Sequence, residues 1–190
     1  MLKIEHLEKR FGETCLFRDL NLTVDGPAVL WAPSGWGKTT LLRILMGLET
    51  PTGGTVQGVG RVGAVFQEDR LGPQLTALQN VLLVRPGDGH AEEDAVRADF
   101  ARLGMDAAAL RLPARKLSGG QKRRTALLRA LWVPSDTLLL DEPFTGMDPE
   151  TLHRAALLLK ERCAGKPVLL ATHDREAIAA LDWPVVALAK

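Results

Sequence analysis

At the start of the chain Leu2, Ile4 and His6 alternate with Lys3 and Glu5, the period-two pattern of a strand with one face exposed. Leu20, Leu22 and Val24 repeat that pattern. The turn Asp25-Gly26-Pro27 then leads into Ala28-Val29-Leu30-Trp31, an unbroken apolar run that predicts a buried strand. Lys38 to Leu48 predicts a helix, with Gly47 near its end and Pro51 beyond as a stop. Val62 to Phe66 predicts a further strand, and Gln67 follows it directly. From there the character changes. Segments 76–84 and 91–103 carry a helical pattern, and no strong strand signal interrupts residues 74–116. Strands resume at Leu138-Leu139-Leu140, Val168-Leu169-Leu170 and Val185-Val186, separated by helical stretches at 149–163 and 174–181.

Strand and helix in alternation predict an α/β fold, with a parallel sheet covered on both faces. The expected organisation is a single domain over 1–190, its core formed by 1–73 and 133–190, with a helical lobe inserted at about 74–132. Composition agrees with this: of 190 residues, 46% are hydrophobic and 25% charged, as in ordinary globular domains. A net charge of +1, from 24 basic and 23 acidic residues, gives no electrostatic argument for nucleic acid or an anionic membrane surface. Cys15 and Cys163 match no metal spacing and are expected to be reduced, buried thiols. The opening MLKIEHLEKR lacks the apolar stretch of a signal peptide. Nowhere do 18 apolar residues run together, so the chain is not expected to span a membrane by itself.

Between the third predicted strand and the first helix lies Ala32-Pro33-Ser34-Gly35-Trp36-Gly37-Lys38-Thr39-Thr40. In a loop that opens a helix in this way, backbone N–H groups point inward at an anion. Glycine at 35 and 37 lets the backbone curl around phosphates with no side chain in the way. Lys38 would reach the β- and γ-phosphates, and the Thr39 hydroxyl would ligate Mg²⁺. Ala32 replaces a more usual glycine at the strand end and is acceptable if its φ is negative. Trp36 is the awkward residue. Its N–H can serve a phosphate, but its ring must turn away, either to cover neighbouring apolar surface or to meet a second protein chain.

Further along, Leu117-Ser118-Gly119-Gly120-Gln121 opens a helix. Thr137-Leu138-Leu139-Leu140 ends in the adjacent carboxylates Asp141 and Glu142, Gly146-Met147-Asp148 follows, and His173 stands at the end of the next strand in LLATHD. With Gln67, these motifs together resemble the ATPase subunit of an ABC transporter, in the family order of Walker A, Q-loop, LSGGQ signature, Walker B, D-loop and H-loop. The resemblance covers nearly the whole chain. It implies a P-loop NTPase core with a parallel sheet, an antiparallel β subdomain near the N-terminus and the inserted helical lobe. It also implies ATP and Mg²⁺ as cofactors. Glu142, His173 and Gln67 would serve hydrolysis, with Glu142 polarising the attacking water. Thr39, Gln67 and Asp141 would serve the metal, for which hard oxygen ligands are suited.

The same resemblance places Pro33 to Thr40 around the nucleotide, with Phe11 stacking on adenine where most members use tyrosine. Ser118, Gly119, Gly120 and Gln121 would cap the ATP held by a partner subunit, and Asp148 would cross that interface. Expected partners are therefore a second ATPase subunit, a membrane permease and, for an importer, an extracytoplasmic solute-binding protein, with no nucleic acid. The chain would act at the cytoplasmic face of the cell membrane. Lys122, Arg123 and Arg124 after the signature are expected on a solvated helix face, and Trp31, Trp132 and Trp183 in the core or at its rim.

The stretch VFQEDRLGPQLTALQNV is similar to importer ATPases of the nitrate, sulfonate, taurine and thiamine groups. The short length instead resembles the ATPase of the haem-exporter type. Family members usually continue further past the histidine, so the final strand pairing and the C-terminal helices are expected to be missing or reduced here. Chromosome and DNA-repair ATPases of the same fold carry a long coiled coil between Lys38 and the signature, for which this chain has no room. Tandem ribosome-associated ATPases would need a second copy, and a P-loop kinase would have no use for LSGGQ.

Overall fold

The computed structural model describes residues 1–33, 35–86 and 92–188. Strands β1 (Leu2–Phe11) and β2 (Thr14–Val24) form a hairpin, followed by β3 (Pro27–Trp31), α1 (Lys38–Leu45), β4 (Gly53–Gln57) and β5 (Val62–Val65). Four helices come next: α2 (Ala77–Leu82), α3 (Glu93–Arg102), α4 (Ala107–Arg111) and α5 (Gly119–Trp132), with a 3₁₀ turn at Ala114–Lys116. The chain then returns to strand–helix alternation in β6 (Thr137–Asp141), α6 (Pro149–Arg162), β7 (Val168–Ala171), α7 (Arg175–Leu181) and β8 (Val185–Ala187).

Two sheets organise these elements. The five-stranded sheet has the order β5-β6-β7-β3-β8, and its paired neighbours all run parallel. The three-stranded sheet, β2-β1-β4, is antiparallel. The unbroken apolar runs follow from burial of the parallel sheet on both faces. Leu138 and Leu140 of β6, with Val168 and Leu170 of β7, join the core formed with helices α2 to α7. Leu139, Leu169 and Ala171 turn the other way, to a second core shared with α1 and the antiparallel sheet. That second sheet uses the alternating segments, but the alternation of β1 breaks at His6. Leu2 and Ile4 are buried as expected, whereas His6, at φ 50° where the β1–β2 register shifts, is exposed and Leu7 takes the buried place. Final strand pairing is present, since β8 pairs with β3 at Val29↔Val185 through Trp31↔Ala187.

Helices α2 to α5 all lie between β5 and β6, on the stretch expected to be helical. The pattern missed α4, a short helix started by Asp106, whose side chain accepts from the Ala109 N–H at 2.7 Å. Buried Asp99 of α3 joins this group to α6, accepting from Trp132 Nε1 at 2.9 Å and from Arg162 at 2.6 Å. Cys163 is buried, and burial pushes its thiol up to about 11, which keeps it protonated and unreactive. Cys15 is only partly buried.

Candidate functional site

Every parallel strand in the sheet ends on the same side, and the loops leaving those ends are where an open α/β sheet builds its site. A cavity of about 410 Å³ lies there, lined by Gly35, Gly37, Lys38, Thr39, Thr40, Gln67, Asp141, Glu142 and His173, with Leu16 from β2. A larger cleft of about 610 Å³ runs between β2 and β8, but neither Lys38 nor the Asp141–Glu142 pair lines it. The residues expected to carry the chemistry line the smaller cavity.

The β3–α1 loop turns on Gly37, whose φ is 105°. An added Cβ there would lie 2.5 Å from Leu16 Cδ2, so both backbone and packing demand glycine. Lys38 Nζ folds back over the loop, donating to Ala32 O at 2.7 Å and Pro33 O at 3.4 Å. The Trp36 N–H donates to Pro33 O at 3.2 Å. The Trp36 ring covers apolar surface: it is 4% exposed and stacks on Phe17 with centroids 5.5 Å apart. Its indole N–H is buried without a partner among the described residues, a polar cost accepted for the packing. Ser34 lies outside the described residues.

At the end of β6 the two carboxylates have different settings. Asp141 is buried and accepts from the Thr39 hydroxyl at 2.7 Å. Burial pushes its carboxyl above the ordinary range, the Thr39 hydrogen bond opposes that, and the Glu142 charge adds to it. Glu142 Oε2 accepts from the Thr172 hydroxyl at 2.8 Å, and Oε1 accepts from the His173 N–H at 3.1 Å. His173 Nδ1 lies 2.6 Å from the same Oε1, a contact that closes with the proton on Nδ1. Glu142 also has φ 48°, a left-handed conformation that costs a non-glycine residue about 1–3 kcal/mol and persists only where its surroundings over-determine it. Thr172, 2% exposed, was not singled out from sequence, because its hydroxyl reads like any strand threonine until β6 and β7 are paired.

The remaining candidates stand elsewhere. Phe11 is 52% exposed at the end of β1, with Lys9 Nζ 4.5 Å from its ring centroid; it does not line the cavity. Ser118 and Gln121 form a reciprocal capping box at the start of α5, with the Gln121 N–H donating to Ser118 Oγ at 3.2 Å and the Ser118 N–H donating to Gln121 Oε1 at 2.9 Å. Gly119 is exposed and Gly120 half-buried, and a Cβ at Gly120 would lie 3.0 Å from Gly146 O. Asp148 caps α6 through Thr151, whose N–H and hydroxyl hold its carboxyl below the usual range. None of these residues reaches the cavity that Lys38 lines.

The expectation of a solvated basic face after the signature is wrong for Arg123 and Arg124. Arg123 is only 4% exposed and donates to Phe66 O, Gln67 O and Asp69 Oδ1 on one side and to Asp141 O and Glu142 O on the other. Arg124 is half-buried and reaches Leu103 O and Gly120 O. A run of basic residues carries no sequence signal for which one will find carbonyls to bind.

The loop at the end of β3, turned by Gly37, and the two carboxylates at the end of β6 thus share one cavity. Residues 18–145 match the ABC transporter family. The chain is 41% identical over 189 residues to the aliphatic sulfonates import ATP-binding protein SsuB 1 of Rhodococcus jostii, covering 94% of this chain and 75% of the relative. It is 42% identical over 183 residues to the taurine import ATP-binding protein TauB of Pseudomonas aeruginosa, covering 88% and 69%. With the Nod factor export ATP-binding protein I of Cupriavidus pinatubonensis it shares 38% over 196 residues, covering 93% of this chain and 59% of that protein. Among solved structures it is similar to the dimeric bacterial ABC transporter cassette MJ0796, with a TM-score of 0.85 and 27% identity over 99% of this chain and 94% of that one. A post-hydrolysis form of that cassette, bound to ADP and Pi, gives 0.85 and 28% over the same shares. The chain belongs to the ABC transporter ATP-binding family and is an ATPase.

Proposed function

We propose that this chain powers uptake of a small organic or inorganic solute through a separate membrane permease, hydrolysing ATP as one of two ATPase subunits. The observation that carries the mechanism is the grip of Thr172 and His173 on Glu142 at the edge of the Lys38 cavity. Both carboxylate oxygens are fixed, so Glu142 is oriented to accept a proton from a water placed between it and a γ-phosphate. Lys38, now held by two loop carbonyls, would exchange them for β- and γ-phosphate oxygens. The Thr39 hydroxyl and the Asp141 carboxylate, in contact at 2.7 Å, are a hard-oxygen pair suited to Mg²⁺ and its water shell, with Gln67 at the same cavity wall. The cation, when bound, would supply neutralisation of the phosphate charge.

Ser118 and the N-terminus of α5 lie outside this cavity, which supports their use by the partner's nucleotide. Gly35, Gly37, Thr40, Pro33, Trp36 and Ser34 are assigned to the loop that wraps the phosphates, with Trp36 acting through its backbone. The chain would form one ABC ATPase domain, with a core of 1–73 and 133–190 and a helical lobe at about 74–132. Phe11 is assigned to the adenine. Phe11→Ala is expected to raise KM for ATP roughly tenfold, the loss of one base-stacking platform, and Phe11→Tyr to leave it unchanged. Equal KM values in all three proteins would remove Phe11 from the site.

Importer function is supported by the names of the sulfonate and taurine relatives; the Nod factor export relatives support the alternative of an exporter subunit. Among the described residues no helix is long and apolar enough to cross a membrane, so the permease would hold the chain at the cytoplasmic face. The test is capture of the Glu142→Gln protein with ATP from detergent-solubilised native membranes. Recovery of a permease together with an extracytoplasmic solute-binding protein is expected. A permease alone would favour export, and soluble partners only would overturn the transport reading.

A further inference from the structure

Arg123, outside the cavity, makes more side-chain hydrogen bonds than any other of the described residues. Its Nη1 donates to Phe66 O at 2.6 Å, Gln67 O at 3.3 Å and Asp69 Oδ1 at 3.1 Å. Its Nη2 donates to Asp141 O at 2.7 Å and Glu142 O at 2.6 Å, and Nε donates to Glu142 O at 3.0 Å. One planar fork thus joins the segment that carries Gln67 to the segment that carries Asp141 and Glu142. It does so from α5, the helix that Ser118 caps. Arg129 extends the tie on the same helix, donating to Asp69 O and Arg70 O.

A buried guanidinium is a poor way to gain stability, since apolar residues of similar volume often do as well. What it offers is geometry: donors in a fixed plane, reaching acceptors on both sides at once, which a lysine ammonium cannot reproduce. Glu142 needs such a hold. Its left-handed backbone must be over-determined to persist, and its carbonyl accepts from Arg123 as well as from Thr145 N–H at 3.3 Å.

We propose that Arg123 is a positioning residue for hydrolysis, fixing the Glu142 carboxylate and the Gln67 segment in register with each other and with the signature helix. It touches no substrate and acts through the backbone of both. The inference rests on the reading of Glu142 as the hydrolytic base.

The test compares wild type, Arg123→Lys, Arg123→Gln and Glu142→Gln as full-length chains, measuring steady-state ATPase, mant-ATP affinity and thermal melting. Arg123→Lys is expected to lower kcat roughly 10- to 100-fold per folded subunit, because small misplacements of a reacting group are that costly. KM for MgATP and mant-ATP affinity should stay within about twofold of wild type, since ground-state binding is untouched. A structural role alone would instead lower the melting temperature and leave kcat per folded subunit intact, which would overturn the proposal. A rise in KM at unchanged kcat would do the same. Should neither Arg123 variant fold, Asp69→Asn keeps every carbonyl contact and removes the one anionic acceptor of Nη1. It is expected to lower kcat roughly threefold at constant KM, and an unchanged kcat there overturns the inference. If Glu142→Gln turns over normally, the underlying reading fails. If Glu142→Gln is silent while Arg123→Lys is fully active, only the role of Arg123 fails.

Discussion

Glu142→Gln is expected to reduce ATP turnover by at least roughly a thousandfold, within the range that a positioned general base contributes, while ATP still binds. The substitution is nearly isosteric, and a glutamine Oε1 can still accept from the Thr172 hydroxyl or from the His173 N–H, which now reach the carboxylate at 2.8 Å and 3.1 Å. The side chain should therefore stay where it is and lose only its basicity. Nothing in the β3–α1 loop changes: Lys38, Thr39 and the glycine backbone are carried by other elements. The sharp outcome is a protein that binds mant-ATP normally and fails in a single-turnover assay with radiolabelled ATP. Wild-type single-turnover rates would assign the base elsewhere. Loss of binding together with turnover would mean that Glu142 supports the loop rather than the water.

Much of this site could be read from sequence because its parts are local. The loop from Ala32 to Thr40 is contiguous, its glycine at 37 is required by a φ of 105°, and Asp141 and Glu142 are adjacent at the end of a strand that is buried throughout. The parallel sheet was legible for the same reason. A strand buried on both faces must be apolar at successive positions, so Leu138, Leu139 and Leu140 announce it even though they face two different cores. What escaped was non-local. Leu16 reaches the cavity only because β2 crosses above Gly37, and Thr172 holds Glu142 only because β7 lies beside β6.

Arg123 shows the same limit more sharply. Its polarity predicts solvent, and three neighbouring basic residues look alike in sequence. Only the fold decides that this one meets the carbonyls of Phe66, Gln67, Asp141 and Glu142. Trp36 could be read either way from its place between two glycines, and stacking on Phe17 settles it as packing within the chain.

Lys38→Ala and Ser118→Arg should each silence the enzyme alone, yet an equal mixture of the two should recover activity. The reason lies in where the two residues stand: Lys38 lines the phosphate cavity and Ser118 does not. If Ser118 serves the partner's nucleotide, a mixed pair holds one site with both defects and one site with neither. Random pairing makes half of all dimers mixed, so about a quarter of wild-type sites are restored, as expected for a two-fold assembly exchanging subunits. Arg at 118 would block the site sterically and remove the hydroxyl, but the α5 capping box it also disturbs is worth only about 1 kcal/mol, so each variant should still fold. The measurement is ATPase rate against mixing ratio at fixed total protein. A maximum at equal parts supports a signature that acts across the dimer. A flat line at background, with mixed dimers verified by differential tagging, would place Ser118 and Lys38 at the same nucleotide, and the capping role assigned to α5 would fall with it.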